Sequence, residues 1–112
     1  MFPMTVIETI RFLAATRKLM GEDERAALID YLACNPTAGD LIPETGGVRK
    51  LRWALEGRGK RGGARVIYYF HSPRLPLFAL DVYAKNEKGD LSQTAKNELR
   101  QAVKIMAEQY GK

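Results

Sequence analysis

Residues 48–70 hold the side chains of this chain that are best suited to chemistry on an anion. The stretch reads VRKLRWALEGRGKRGGARVIYYF and contains seven lysines and arginines against one acid, Glu56. A glycine-rich loop lies between Lys50 and Arg52 on one side and Arg65 on the other. Cations grouped in this way can bind a phosphate and stabilise negative charge that develops on it. The composition of the stretch therefore favours a nucleic acid as the partner.

The positive charge is concentrated in this part of the chain. Residues 48–74 contain eight lysines and arginines and one acid, a net charge of +7, whereas the whole chain carries +5. Residues 1–47 carry a net charge of −3. A basic surface that is merely solvated is the other interpretation of such a patch, and the composition leaves it open.

The two segments that flank the loop are predicted to form a long-looped β-hairpin. Successive side chains of a strand point to opposite faces. Lys50 and Arg52 therefore share one face, and the other face carries apolar core residues, Leu51, Trp53 and Leu55. Residues 64–70 are rich in β-branched and aromatic side chains, as in a central strand. Pairing of the strands would bring Arg65 to the cationic face, whereas a slip of one residue would reverse its direction.

Length and composition indicate one domain over residues 1–112. The sequence has one cysteine, Cys34, and one histidine, His71, so it offers neither an intramolecular disulfide nor a zinc site, and no cofactor is expected. Cys34 is expected to be buried at a helix end, and His71 to be structural. No apolar run is long enough to cross a membrane and no secretion leader is evident, which favours a cytoplasmic location.

The N-terminal half is predicted to contain one strand and two helices. Residues 2–7 suit a short strand, and residues 9–20 suit a first helix. Three consecutive acids open the segment 22–33, where they would interact favourably with the dipole of a second helix. Residues 35–47 are turn-forming and are predicted to be a long loop that leads into the basic hairpin.

The C-terminal half is predicted to add a third strand and a helix. Strict alternation over residues 77–85 would place two sets of side chains on opposite faces of the strand. One face would carry Phe78, Leu80 and Val82, and the other Ala79, Asp81, Tyr83 and Lys85. Ser92 is a suitable N-cap for an amphipathic helix that packs on the sheet. The polar side of this helix offers secondary candidates for phosphate contact, Lys96, Arg100 and Lys104.

The chain resembles the RelE/ParE superfamily of toxins from bacterial toxin–antitoxin pairs, and most of all its HigB-type branch. Two strings carry the resemblance, GDLIPETGGVRKLRWALEGRGKRGGARVIYYF and VYAKNEKGDLS. The combination of GG-x-RK-x-R, GKRGGARVIYY and YAKNEK-x-DL is more specific than a basic cluster alone. The resemblance implies a small α+β domain in which two N-terminal helices and a C-terminal helix surround a twisted, mainly antiparallel sheet.

The same resemblance implies a type II toxin that cleaves messenger RNA on the translating ribosome. It implies a set of catalytic residues, Lys50, Arg52, Arg65, Tyr83 and Lys85. Arg65 would contact the scissile phosphate, and Lys50 or Arg52 would stabilise charge and could transfer a proton. The remaining basic residues of the hairpin are predicted to bind RNA and the ribosome: Arg49, Arg58, Lys60 and Arg61. No strong general base is found among the matched residues.

The implied partners are the ribosome, messenger RNA and a cognate antitoxin of the HigA-like helix-turn-helix type. Operator DNA would be bound only through the antitoxin complex, and no membrane is involved. Two other functions remain open: a ParE-like toxin that acts on DNA gyrase by protein contact, and a non-catalytic basic module whose binding weakens with salt. Other roles also remain open for four of these residues: Arg65 could pair with Asp81, Tyr83 could cap the core, and Lys50 and Arg52 could be ordinary solvated strand residues.

Overall fold

The computed structural model describes residues 3–55, 63–85 and 91–110. These residues form three helices and five strands, and the predicted α+β class is confirmed. In chain order the elements are β1 (Val6–Glu8), α1 (Ile10–Leu19), α2 (Glu22–Cys34), β2 (Asp40–Leu41), β3 (Val48–Trp53), β4 (Ala64–Tyr69), β5 (Leu77–Ala84) and α3 (Gln93–Tyr110). Within the described ranges, none of the three helices has both the length and the apolar character needed to cross a bilayer.

Capping residues explain where the helices begin. The Thr9 hydroxyl accepts a hydrogen bond from the Phe12 N–H at 3.2 Å, and the predicted cap Ser92 accepts one from the Ala95 N–H at 3.1 Å. Each bond satisfies an amide that has no partner within the first turn of a helix. Helix α2 begins with the three predicted acids and ends at Cys34. Cys34 is exposed, so the prediction that it is buried was wrong: it lies on the solvent side of the last turn.

The five strands form one mixed sheet with the order β1-β5-β4-β3-β2. Strand β1 is parallel to β5, and the other neighbours are antiparallel, so the predicted meander of β3, β4 and β5 is confirmed. The ends of the sheet differ from the sequence prediction. Strand β1 begins later than predicted, at Val6, and the predicted loop 35–47 contains strand β2, which pairs with β3.

The sheet separates two apolar clusters. On one side, here called the α1/α2 face, side chains of the first two helices pack against Leu51, Leu55, Val66 and Tyr68. On the other, the α3 face, Val103 packs with Val48, Ile67, Tyr69, Phe78, Leu80 and Tyr83. Val103 is the only buried residue of α3, whereas α1 and α2 together bury five: Phe12, Thr16, Leu28, Leu32 and Ala33.

A β-bulge in β5 decides which side chains face α3. Ile67 lies opposite Asp81, but the next residue, Tyr68, lies opposite Ala79, so Leu80 is an extra residue in β5. The alternation of β5 shifts at this point: Val82 belongs to the cluster of the α1/α2 face, and Tyr83 to that of the α3 face. The prediction that Val82 shares a face with Phe78 and Leu80 was therefore wrong, because it assumed unbroken alternation.

Candidate functional site

The α3 face contains an open depression of about 600 Å³ at the end of the sheet where β4 begins. All five residues predicted to be catalytic line it: Lys50, Arg52, Arg65, Tyr83 and Lys85. The alternation of β3 and the bulge of β5 point these side chains to one side of the sheet. The remaining wall is formed by Asp40, Leu41, Ile42, Pro43, Leu91 and Lys96.

Three of these residues form a row across the sheet. Arg52 is directly opposite Arg65 in the β3–β4 pair, and Arg65 is directly opposite Tyr83 in the β4–β5 pair. Like charges in directly opposite positions destabilise a sheet. A bound anion would remove this repulsion, so the row is better suited to binding a phosphate than to supporting the fold.

In the part of the chain that the structure describes, the four predicted catalytic cations of the depression form no ion pair with an acid. These cations are Lys50, Arg52, Arg65 and Lys85. Asp81, the alternative partner of Arg65, forms an ion pair with Arg11, whose Nε is 3.3 Å from Asp81 Oδ2. Arg65 Nη1 donates a hydrogen bond of 3.3 Å to the carbonyl of Ala64. No ion pair among the described residues therefore competes with an anionic ligand for these guanidinium and ammonium groups.

Tyr83 belongs both to the apolar cluster and to the depression. It is only 3 % exposed and belongs to the cluster of the α3 face, while it also lines the depression. A role of Tyr83 in capping the core is therefore compatible with a role in the reaction. Lys96 reaches the same depression from the first turns of α3, so the helix contributes a cation as well as apolar contacts.

Arg49 does not line the depression. Its Nη1 donates hydrogen bonds to the carbonyls of Thr37, at 3.2 Å, and Gly39, at 2.7 Å. These bonds hold the segment that precedes β2 against β3. The predicted role of Arg49 in RNA binding stays a prediction, and the structure gives this residue a role in the fold. The other three residues predicted to bind RNA lie outside the described residues: Arg58, Lys60 and Arg61.

Asp40 is the charged lining residue that the sequence prediction missed. The turn-forming composition of residues 35–47 concealed strand β2, which depends on hydrogen bonds to β3 and to side chains distant in sequence. The apolar pair Leu41 and Ile42 within that run was the one signal of a strand. In the structure Asp40 is directly opposite Lys50 and faces the same depression.

The described lining of the depression offers cations, one phenol and one carboxylate. Within the described ranges, no group of three histidine, cysteine, aspartate or glutamate residues could hold a metal ion. One guanidinium group can donate two parallel hydrogen bonds to the oxygens of a phosphate. A cluster of cations can also stabilise the charge of a phosphoryl transition state without a metal. Compared with known protein families, the sequence matches no family model. The family resemblance therefore stays a prediction, and function has to be inferred from the geometry of the depression.

Proposed function

We propose that this protein is the toxin of a type II toxin–antitoxin pair, an endoribonuclease that cleaves messenger RNA on the translating ribosome and inhibits growth. The observation that carries the proposal is the depression itself. Strands β3, β4 and β5 bring four cations and Tyr83 together there, and none of the four cations is in an ion pair with a described acid. This arrangement suits a phosphodiester that must be held and made more reactive.

Each cation has a role in such a reaction. The ribose 2′-hydroxyl attacks the adjacent phosphorus in line, and negative charge grows on the phosphate and on the departing 5′-oxygen. Arg52 and Arg65, opposite each other, would bind the non-bridging oxygens. Lys50 and Lys85 would stabilise the departing oxygen, while Tyr83 would donate a hydrogen bond from the apolar wall.

The ribosome would hold the RNA in a fixed geometry, which the small depression cannot do alone. A site that is open to solvent holds a flexible RNA poorly, whereas messenger RNA in the decoding centre is already constrained. The proposed function places the protein in the cytoplasm, with a HigA-like helix-turn-helix antitoxin as its inhibitor. Contact with operator DNA would then occur only through the antitoxin complex. Neither a metal nor another cofactor is required, because the cations provide the charge stabilisation.

The test is to induce the wild type and Arg65→Ala in cells and to map the 5′ ends of messenger RNA within minutes. We expect new ends inside translated frames with the wild type, and none with Arg65→Ala or when translation is blocked. Arg74→Ala is the matched control, because Arg74 is an exposed arginine in the turn between β4 and β5, at the opposite end of these strands. It should cleave like the wild type.

Intact messages during growth arrest would contradict the proposal. DNA gyrase activity would then be assayed in the same cells, since a toxin that acts on gyrase by contact leaves messages uncut. RNA binding that weakens with salt but never leads to cleavage would instead indicate a non-catalytic module.

A further inference from the structure

The depression contains a carboxylate to which the reaction above gives no role. Asp40 lines the wall beside the cations and is directly opposite Lys50. It is exposed, and it forms no ion pair with any cation in the described ranges. Of the described residues that line the depression, it is the only one with a carboxylate. An acid weakens a phosphate site unless it takes part in the chemistry, so its position needs a reason.

The chain on the N-terminal side of Asp40 is held by one buried and two partly buried hydrogen bonds. The Gly39 N–H donates to the Tyr68 hydroxyl at 2.8 Å, and this hydroxyl donates to the carbonyl of Pro36 at 2.9 Å. Arg49 donates to the Gly39 carbonyl at 2.7 Å. A Cβ atom at Gly39 would lie 2.9 Å from the side chain of Tyr68, so this close approach requires glycine.

The chain on the C-terminal side is held by a buried threonine. Thr45 is fully buried; its hydroxyl donates to the Ile42 carbonyl at 2.6 Å and accepts from the Val48 N–H at 3.1 Å. The Ile42 N–H also donates to the Val48 carbonyl at 2.8 Å. The two-residue strand that carries Asp40 is thus fixed at both ends. Such support is what a catalytic group needs in order to keep its geometry.

We infer that Asp40 is the general base of the site and accepts the proton of the 2′-hydroxyl; this rests on the proposed function. Lysine and arginine carry their protons at neutral pH in ordinary surroundings, whereas an ionised carboxylate can accept one. As the 2′-oxygen bonds to phosphorus, its proton passes to Asp40. The P–O5′ bond breaks, and its electron pair leaves with the 5′-oxygen, which takes a proton from water. Asp40 then returns its proton to solvent. The products are a 2′,3′-cyclic phosphate and a 5′-hydroxyl.

The test measures single-turnover cleavage of ribosome-bound messenger RNA by purified variants. Asp40→Asn removes the base at almost constant volume, and we expect its rate to fall by about 10²- to 10⁴-fold. Its affinity for the ribosome should not fall, because the change removes a negative charge from a cationic site. Asp40→Glu should recover part of the rate. Glu44→Gln is the matched control, because it removes the same charge from the turn after β2, outside the depression; it should cleave like the wild type.

Two further measurements separate a base from a structural residue. The wild-type rate should fall as the pH is lowered, and Asp40→Asn should lose this dependence. When sulfur replaces the 5′-bridging oxygen, the leaving group needs no proton. If Asp40 is the base, Asp40→Asn should therefore be slower than the wild type by the same factor with this substrate as with ordinary RNA. Loss of the defect with this substrate would overturn the assignment, as would a wild-type rate for Asp40→Asn. If the wild type cleaves no ribosome-bound message, the proposed function and the role of Asp40 both fall.

Discussion

The two faces of the sheet use their side chains in opposite ways. On the α1/α2 face, Phe12, Leu28 and Leu32 are completely buried against the strands. On the α3 face, one helix with a single buried residue covers part of the sheet, and the cationic depression opens beside it. Close packing provides stability on the first face. On the second, incomplete cover leaves charged groups accessible at some cost to the fold.

Because of this difference, substitutions on one face should change mainly stability, and substitutions on the other mainly activity. Substitutions on the α1/α2 face should alter the free energy of unfolding, and activity only through it. Substitutions in the depression should alter activity with little loss of stability, because the cations there have no described acidic partners to lose. Substitutions on each face can test this division.

Phe12→Ala should cause the largest loss of stability. Phe12 is fully buried between α1 and the sheet, and replacing a buried phenylalanine with alanine leaves a cavity that costs about 3–5 kcal/mol. Leu99→Ala on α3 removes a half-buried side chain and should cost clearly less. Equilibrium unfolding in urea measures both. Ile10→Ala, at a position 87 % exposed on the same helix as Phe12, is the control. Equal losses for Phe12→Ala and Leu99→Ala would break the comparison between the faces.

Tyr68→Phe should cause the next largest loss of stability. The Tyr68 hydroxyl bonds to Gly39 and Pro36, and its removal leaves a buried donor and an acceptor without partners, at a cost of about 1–3 kcal/mol. Tyr69→Phe is the matched control on the α3 face, because no hydrogen bond joins its hydroxyl to a described residue. It should be close to neutral by the same urea measurement. A neutral Tyr68→Phe would show that β2 does not depend on this anchor.

Stability should also fall in alkaline solution, by a smaller amount. Burial raises the pKa of Tyr68 despite the opposing Gly39 N–H, and burial raises the pKa of Tyr69 as well. The folded state therefore keeps its phenol protons longer than the unfolded state. The contribution of these two phenols to folding stability is complete below their pKa in the unfolded state, about 10. It is lost as the pH rises through their higher pKa values in the folded state. Urea midpoints above pH 10 should fall less steeply for the variant with both tyrosines changed to phenylalanine.

The sequence predicted the three helices and the central meander because their signals are local. Capping at Ser92, acids at the start of α2 and alternation in β3 each depend on a few neighbouring residues. The predicted catalytic residues also converge, since the β3–β4 register brought Arg65 opposite Arg52. Strand β2 was missed because its hydrogen bonds come from β3, and its anchor, Tyr68, lies 29 residues beyond Gly39. The bulge at Leu80 was missed because alternation alone gives no sign of an extra residue.

Arg52→Gln should have the smallest effect on stability and a large effect on activity. The change removes the like-charge pair with Arg65, so the free energy of unfolding should stay constant or rise by about 0.2–1 kcal/mol. Added salt should reduce any gain over the wild type, because it screens the same repulsion. Arg74→Gln removes an equal charge from an exposed turn and should change neither stability nor cleavage. Loss of stability in Arg52→Gln would mean that the cations of the depression support the fold, and the division between the faces would then fail.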